Sequence, residues 1–207
     1  MQPSSTRKRR GRTASGKAGA QDIIGALDRL IERCLRDLVA DTHLLNWRAK
    51  ERDWVNYFAH RYLIAHCCPD GPLKEPAQIG IEVAVPQPKG YARPSVSRDL
   101  VIWQSCGDTC FDLNWLPCNH PLAIVEWKVH RPKHRNVKVS NERAWLRAYC
   151  QGQRTIVCYA IEIDGTRTPI KLVCSRFLGN NENKSWLELT LQADEIPPTH
   201  ASRGSAR

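Results

Sequence analysis

Apolar residues recur along this chain with two periods, and the switches between them mark out its elements. Ile23, Ile24, Leu27, Leu30, Ile31, Cys34, Leu35 and Leu38 fall at helical spacing. One amphipathic helix is expected there, N-capped by Asp22 and ending before Asp41, which is placed to cap a second helix. That second helix is expected from about Thr42 to His66. At about 100° per residue, Trp47, Trp54, Val55, Phe58 and Tyr62 lie within about 60° of Glu51, so an acid occupies the middle of an apolar stripe. Such an acid needs a partner, unless it lies near one end of the stripe and reaches solvent or pairs with an arginine.

The period then shortens to two. Cys68–Gln78 is a loop punctuated by Pro69, Asp70, Gly71, Pro72 and Pro76, and Ile79–Val85 alternates as a strand. Pro86–Pro94 is a hairpin loop, and the next strand is expected over Asp99–Trp103 with its acid at the start. A mixed loop, Gln104–His120, leads to the strand Pro121–Arg131, PLAIVEWKVHR. A helix capped by Ser140 and closed by Gly152 follows. Strands are expected over Thr155–Ile163 and Ile170–Phe177, joined by the Asp164–Gly165 turn. Gly179–Lys184 reads as a polar loop and Trp186–Leu191 as an edge strand. A strand meander followed by a crossover helix and more strands makes an α/β fold with a mixed sheet flanked by helices.

At 207 residues the chain suits one domain, expected over 21–192, between a basic disordered tail (1–20) and a flexible tail (193–207). The first tail holds Arg7, Lys8, Arg9, Arg10, Arg12 and Lys17 without an acid, and no apolar h-region follows it. No apolar run approaches the length of a membrane span. Nine cysteines, several in apolar segments (Cys34, Cys150, Cys158, Cys174), read as reduced buried thiols, and a cytoplasmic protein is expected. Cys106, Cys110, Cys118 and His120 could offer a tetrahedral zinc set, though their spacing matches no established zinc motif. The net charge of +10 changes the picture most, because nucleic acid is the commonest polyanion a surface of this sign meets. Arg7, Lys8, Arg9 and Arg10 in the tail, with Arg131, Lys133 and Arg135 after the PLAIVEWKVHR strand, are the candidate phosphate contacts.

The candidate chemistry lies on that strand. Glu126 and Lys128 are two residues apart and share a face, while Val125, Trp127 and Val129 share the other. A charge pair inside an apolar strand is costly unless something requires it. Glu182–Asn183–Lys184 has the same spacing, but in a polar loop, and is assigned nothing. If Asp99 lies beside Glu126, two like charges meet, an arrangement a hard divalent cation would relieve. Lys128 could then activate water or stabilise developing charge, and Glu51 could complete the acidic pocket.

A helix-borne Glu, a meander carrying Asp, and Glu-x-Lys on an apolar strand followed by a helix together resemble the PD-(D/E)XK nuclease superfamily, from about Thr42 to Phe177. The resemblance implies a restriction endonuclease-like αβββαβ core. It also implies a metal-dependent nuclease, with Asp99, Glu126 and Glu51 as ligands of Mg²⁺ (or Mn²⁺), and Lys128 as the catalytic lysine. Arg98, not Pro, precedes the Asp. The expected activity is hydrolysis of DNA phosphodiester bonds; the competing expectation is a nucleic-acid-binding module that keeps the fold without the chemistry. The sequence leaves open whether the chain works as a homodimer. On the helix after the lysine strand, Arg143, Arg147 and Gln151 share a face that serves either phosphate contact or solvation.

Overall fold

The computed structural model describes residues 15–45, 49–130, 139–153, 155–166 and 169–191. Over these residues the fold is α/β, with helices on both faces of a six-stranded mixed sheet. The strands are β1 (Ile79–Pro86), β2 (Ser95–Ile102), β3 (Ala123–His130), β4 (Val157–Asp164), β5 (Ile170–Leu178) and β6 (Asn181–Leu191), and they lie in the sheet in chain order. All neighbours are antiparallel except β3 and β4. That parallel step needs a crossover, which the helix α3 (Val139–Gly152) supplies. No helix among the described residues is long and apolar enough to cross a membrane.

On one face lie α1 (Ser15–Leu45) and a helical run that starts as α2 (Glu51–Tyr57), widens through Phe58–Leu63 and tightens through Ile64–His66. Their apolar stripes supply Ile24, Leu27, Ile31, Leu35, Leu38, Trp54, Val55, Phe58 and Leu63 to a core shared with Leu100, Val125, Trp127, Tyr159 and Ile161 of the sheet. The opposite face buries Trp145, Leu146, Tyr149 and Cys150 of α3 against Val101, Ile124, Cys158 and Phe177. The alternation read along PLAIVEWKVHR holds: Val125 and Trp127 are fully buried on the α1/α2 side. The four cysteines read as buried thiols are buried, and burial pushes the Cys34 thiol up to about 12.

Several boundaries differ from expectation. The helix α1 begins at Ser15, so Asp22 lies inside it and the expected tail is shorter. The same helix runs past Asp41, whose carboxylate accepts a 2.8 Å hydrogen bond from the Tyr62 hydroxyl. Ile23, counted on the apolar stripe, is exposed. The second helix therefore starts at Glu51, not Thr42. Asp53 supports that start by accepting from the backbone N–H of Lys50 at 2.9 Å. Strand β2 starts at Ser95, which puts Asp99 mid-strand. Ser140 lies inside α3, which starts at Val139. Gly179–Lys184 is mostly strand: β5 turns at Gly179 (φ +57°) straight into β6.

Candidate active site

Asp99 and Glu126 meet where β2 and β3 part. The ladder between these strands runs through Leu100↔Val125, Val101↔Ile124 and Ile102↔Ala123, then stops. Beyond it the two carboxylates take over the backbone's hydrogen bonding. Asp99 Oδ2 accepts from Trp127 N–H at 2.8 Å, and Glu126 Oε1 faces Asp99 N–H at 3.4 Å. On the other side of β2, Glu82 (φ +53°) and Asp99 are left out of the β1–β2 ladder. Asp99, Glu51, Arg52, Val55, Ile81 and Glu82 line a small cavity of about 60 Å³, over which Arg52 pairs with both Glu82 oxygens at 2.8 Å.

Glu126 faces α3 and is only 6% exposed. Burial, reinforced by Asp99, pushes its pKa up to about 8 against the opposing pull of Arg98. The Arg98 guanidinium is 3.4 Å from Glu126 Oε2 and lies 3.6 Å over the Trp145 ring, and its buried Nε has no hydrogen-bond partner among the described residues. Burial also raises the Asp99 pKa, opposed by the Trp127 N–H and abetted by Glu51.

Lys128 lies between two acids. Its ammonium donates to Glu51 Oε1 at 3.1 Å and is 3.1 Å from Glu142 Oε1. Burial works against its charge, but Glu142 and Glu51 more than offset this and its pKa is raised. Glu51 thus reaches Lys128 from the first residue of α2, not from the middle of a helical stripe. Ala49 and Lys50 lie outside the helix, so Glu51 opens α2 and sits at its end, where its carboxylate is one-third exposed.

Glu142 is the residue that sequence reasoning missed. It stands in the first turn of α3, and an acid in the opening turn of the helix crossing back from the Glu-x-Lys strand is the signal that could have found it. The structure thus brings together all four predicted residues, Glu51, Asp99, Glu126 and Lys128, and adds Arg98 and Glu142. Arg143 lines the same small pocket as Glu126, Lys128 and Glu142, while its guanidinium pairs with acids of the neighbouring strands. Arg143 donates to Glu162 and to Glu182, each at 3.0 Å, and Arg147 also pairs with Glu182. Glu182, set aside as a loop acid, is on β6, and its pKa is lowered because those two arginines outweigh its burial.

Among the described residues, no three His, Cys, Asp or Glu side chains form a group that could hold a metal ion. Glu51 is committed to Lys128. In the Gln104–His120 loop, the His120 ring nitrogens contact the Tyr149 hydroxyl at 2.8 Å and the Gln153 amide at 3.0 Å, Cys110 is buried, and Cys106 and Cys118 are exposed. Of the phosphate-contact candidates, Arg7, Lys8, Arg9, Arg10, Arg131, Lys133 and Arg135 all lie outside the described residues. No family model, no curated protein and no solved structure matches this chain.

Proposed function

We propose that this chain is a metal-dependent nuclease with a restriction endonuclease-like core, hydrolysing DNA phosphodiester bonds at Asp99, Glu126 and Lys128. The observation that carries the reading is the exchange of hydrogen bonds between Asp99 and the Glu126–Trp127 segment where β2 and β3 diverge, with Lys128 two residues further along β3. The order α2, β1, β2, β3, α3, β4 supports it, being the αβββαβ succession expected of such a core.

The donor chemistry fits a hard divalent cation: two adjacent carboxylates with raised pKa values beside a polar cavity. Asp99 and Glu126 would hold Mg²⁺ (or Mn²⁺), joined by Glu51 if its carboxylate leaves Lys128. The bound ion would supply Lewis acidity and a lowered pKa for its water. The chain's own part is distinct. Glu51 and Glu142 keep Lys128 protonated and fix its ammonium, which can orient the attacking water or stabilise charge on a phosphoryl oxygen.

The test is cleavage of plasmid and oligonucleotide DNA with Mg²⁺ and with a chelator. Asp99→Asn, which keeps an acceptor for Trp127 N–H, and Lys128→Ala should each lose roughly 100-fold or more of the metal-dependent rate. Undiminished cleavage by either variant would sink the assignment. A second reading, binding without hydrolysis, draws on one observation: Arg98 and Lys128 already partner three of the site's acids, Glu126, Glu51 and Glu142. Salt-sensitive DNA binding without hydrolysis under any divalent ion would favour it.

A further inference from the structure

The β1–β2 hairpin runs on past the point where β2 and β3 part. The β2–β3 ladder stops at Leu100↔Val125, whereas β1 and β2 stay paired from Val83↔Arg98 to Pro86↔Ser95. This two-stranded ribbon begins at the candidate site and leads away from it. Its turn starts four residues along β2 from Asp99, or about 13 Å. One side of the ribbon is apolar: Val85 is fully buried, and Val83, Ala84 and Val96 pack on the core beneath α3. The turn itself faces water. Lys89, Gly90, Tyr91, Ala92, Arg93 and Pro94 are all exposed. Gly90 takes φ +95°, which favours glycine, and nothing lies within 4 Å of where a Cβ would stand on it, so the tip is clear of the body.

The ribbon and its turn, residues 83–98, hold Lys89, Arg93 and Arg98 and no Asp or Glu. Arg98 is occupied by Glu126, but Lys89 and Arg93 pair with no acid among the described residues. Two free cations flanking a tyrosine hydroxyl are groups that hold phosphate oxygens. The turn is also fixed relative to the candidate site. Gln87 N–H donates to Pro94 O at 2.9 Å and closes the turn, and Gln87 Oε1 accepts from the Trp145 indole N–H. Arg98 lies over that same indole while it faces Glu126. One ring thus holds both the base of the turn and the arginine beside the carboxylate, so a phosphate gripped at the tip is registered against Asp99 and Glu126. We infer that the β1–β2 turn is a substrate-positioning contact, in which Lys89, Arg93 and the Tyr91 hydroxyl bind backbone phosphates of DNA a few nucleotides from the bond at the candidate site. The identity of the partner rests on the nuclease reading of that site. Contacts of this kind fix register and read no sequence.

Binding and cutting are measured apart. Fluorescence anisotropy of a labelled DNA duplex with the full chain, in chelator, reads binding without hydrolysis. The Lys89→Ser/Arg93→Ser variant, altered only at exposed positions, should keep the wild-type circular dichroism spectrum. It should bind roughly tenfold to a hundredfold more weakly at about 0.1 M salt, with a log–log salt slope smaller by about 2. In cleavage with Mg²⁺ its loss should fall on KM and not on kcat, because these contacts are made equally before and during the reaction. Neutral methylphosphonates placed singly within a few nucleotides of the cut should weaken binding by the wild type and leave binding by the variant unmoved. A wild type that binds no DNA, a variant with unchanged affinity and salt slope, or a loss confined to kcat would overturn the inference, the second of these without touching the assignment of Asp99, Glu126 and Lys128. Weakened binding by the variant of a chain that cuts under no divalent ion would keep the contact and sink the nuclease reading instead.

Discussion

Glu126 concentrates the electrostatic cost of this fold in one carboxyl group. Its folded pKa of about 8 lies above the ordinary 4.5, so the folded state holds a proton that the unfolded state has released. Stability from this group is therefore complete below about pH 4.5 and declines as pH rises towards 8. Metal-free wild type should lose stability between pH 5 and pH 8, by an amount on the order of 2–4 kcal/mol. Glu126→Gln should flatten that profile in urea titrations at the two pH values. A profile unchanged by the substitution would mean that Glu126 is ionised in the native state. If Asp99 and Glu126 hold a divalent ion, added Mg²⁺ should raise the melting temperature of the wild type and leave that of Glu126→Gln nearly unmoved. Lys128 is the complementary case. Its Glu-x-Lys spacing was legible because alternation on a strand is strict, whereas Glu142 was not, because its pairing depends on where a connection of eight residues sets α3 down.

At the scale of elements, α2 and its continuation hold the strand of the candidate site, β3, from behind. Phe58 meets the Trp127 ring edge-on at 5.2 Å, and both are fully buried. Phe58→Ala should cost about 3–5 kcal/mol, read as a shift in the urea midpoint, and should loosen Trp127, between the two carboxylates' strand and the helices. On the opposite face, α3 is fastened to the far side of the sheet by Arg143 and Arg147 through Glu162 and Glu182. Glu182→Gln should destabilise the fold by about 1 kcal/mol without the loss of activity expected from Lys128→Ala, which separates a fastening role from a phosphate-binding one. The expectation that Glu182 sat in a loop failed for a local reason. Polar side chains on an edge strand resemble a loop in sequence, and only pairing with β5 reveals the strand.

For the whole molecule, the +10 charge sets how it meets a polyanion. If the chain binds DNA as proposed, that binding should weaken steeply with salt. Replacing Arg7, Lys8, Arg9 and Arg10 with serine should reduce the log–log salt slope by up to about 4, and a slope unchanged by the replacement would show that the tail makes no phosphate contact.

What the sequence determined by itself were the features that depend on local repetition: the α/β class, the succession of elements, the burial of Val125 and Trp127, and the shared face of Glu126 and Lys128. Period-two and period-3.6 patterns are written residue by residue, so they survive without knowledge of the fold. The tertiary structure alone decided where each helix starts, because Asp41 and Asp22 were free to be helix interior once packing outweighed their capping tendency. It also decided that β2 and β3 part at Asp99 and Glu126, that Glu51 and Glu142 close on Lys128 from two different helices, and that Arg98 is buried beside Glu126. Each of these joins residues 27 or more positions apart or on separate elements, and no local pattern encodes a distance of that kind.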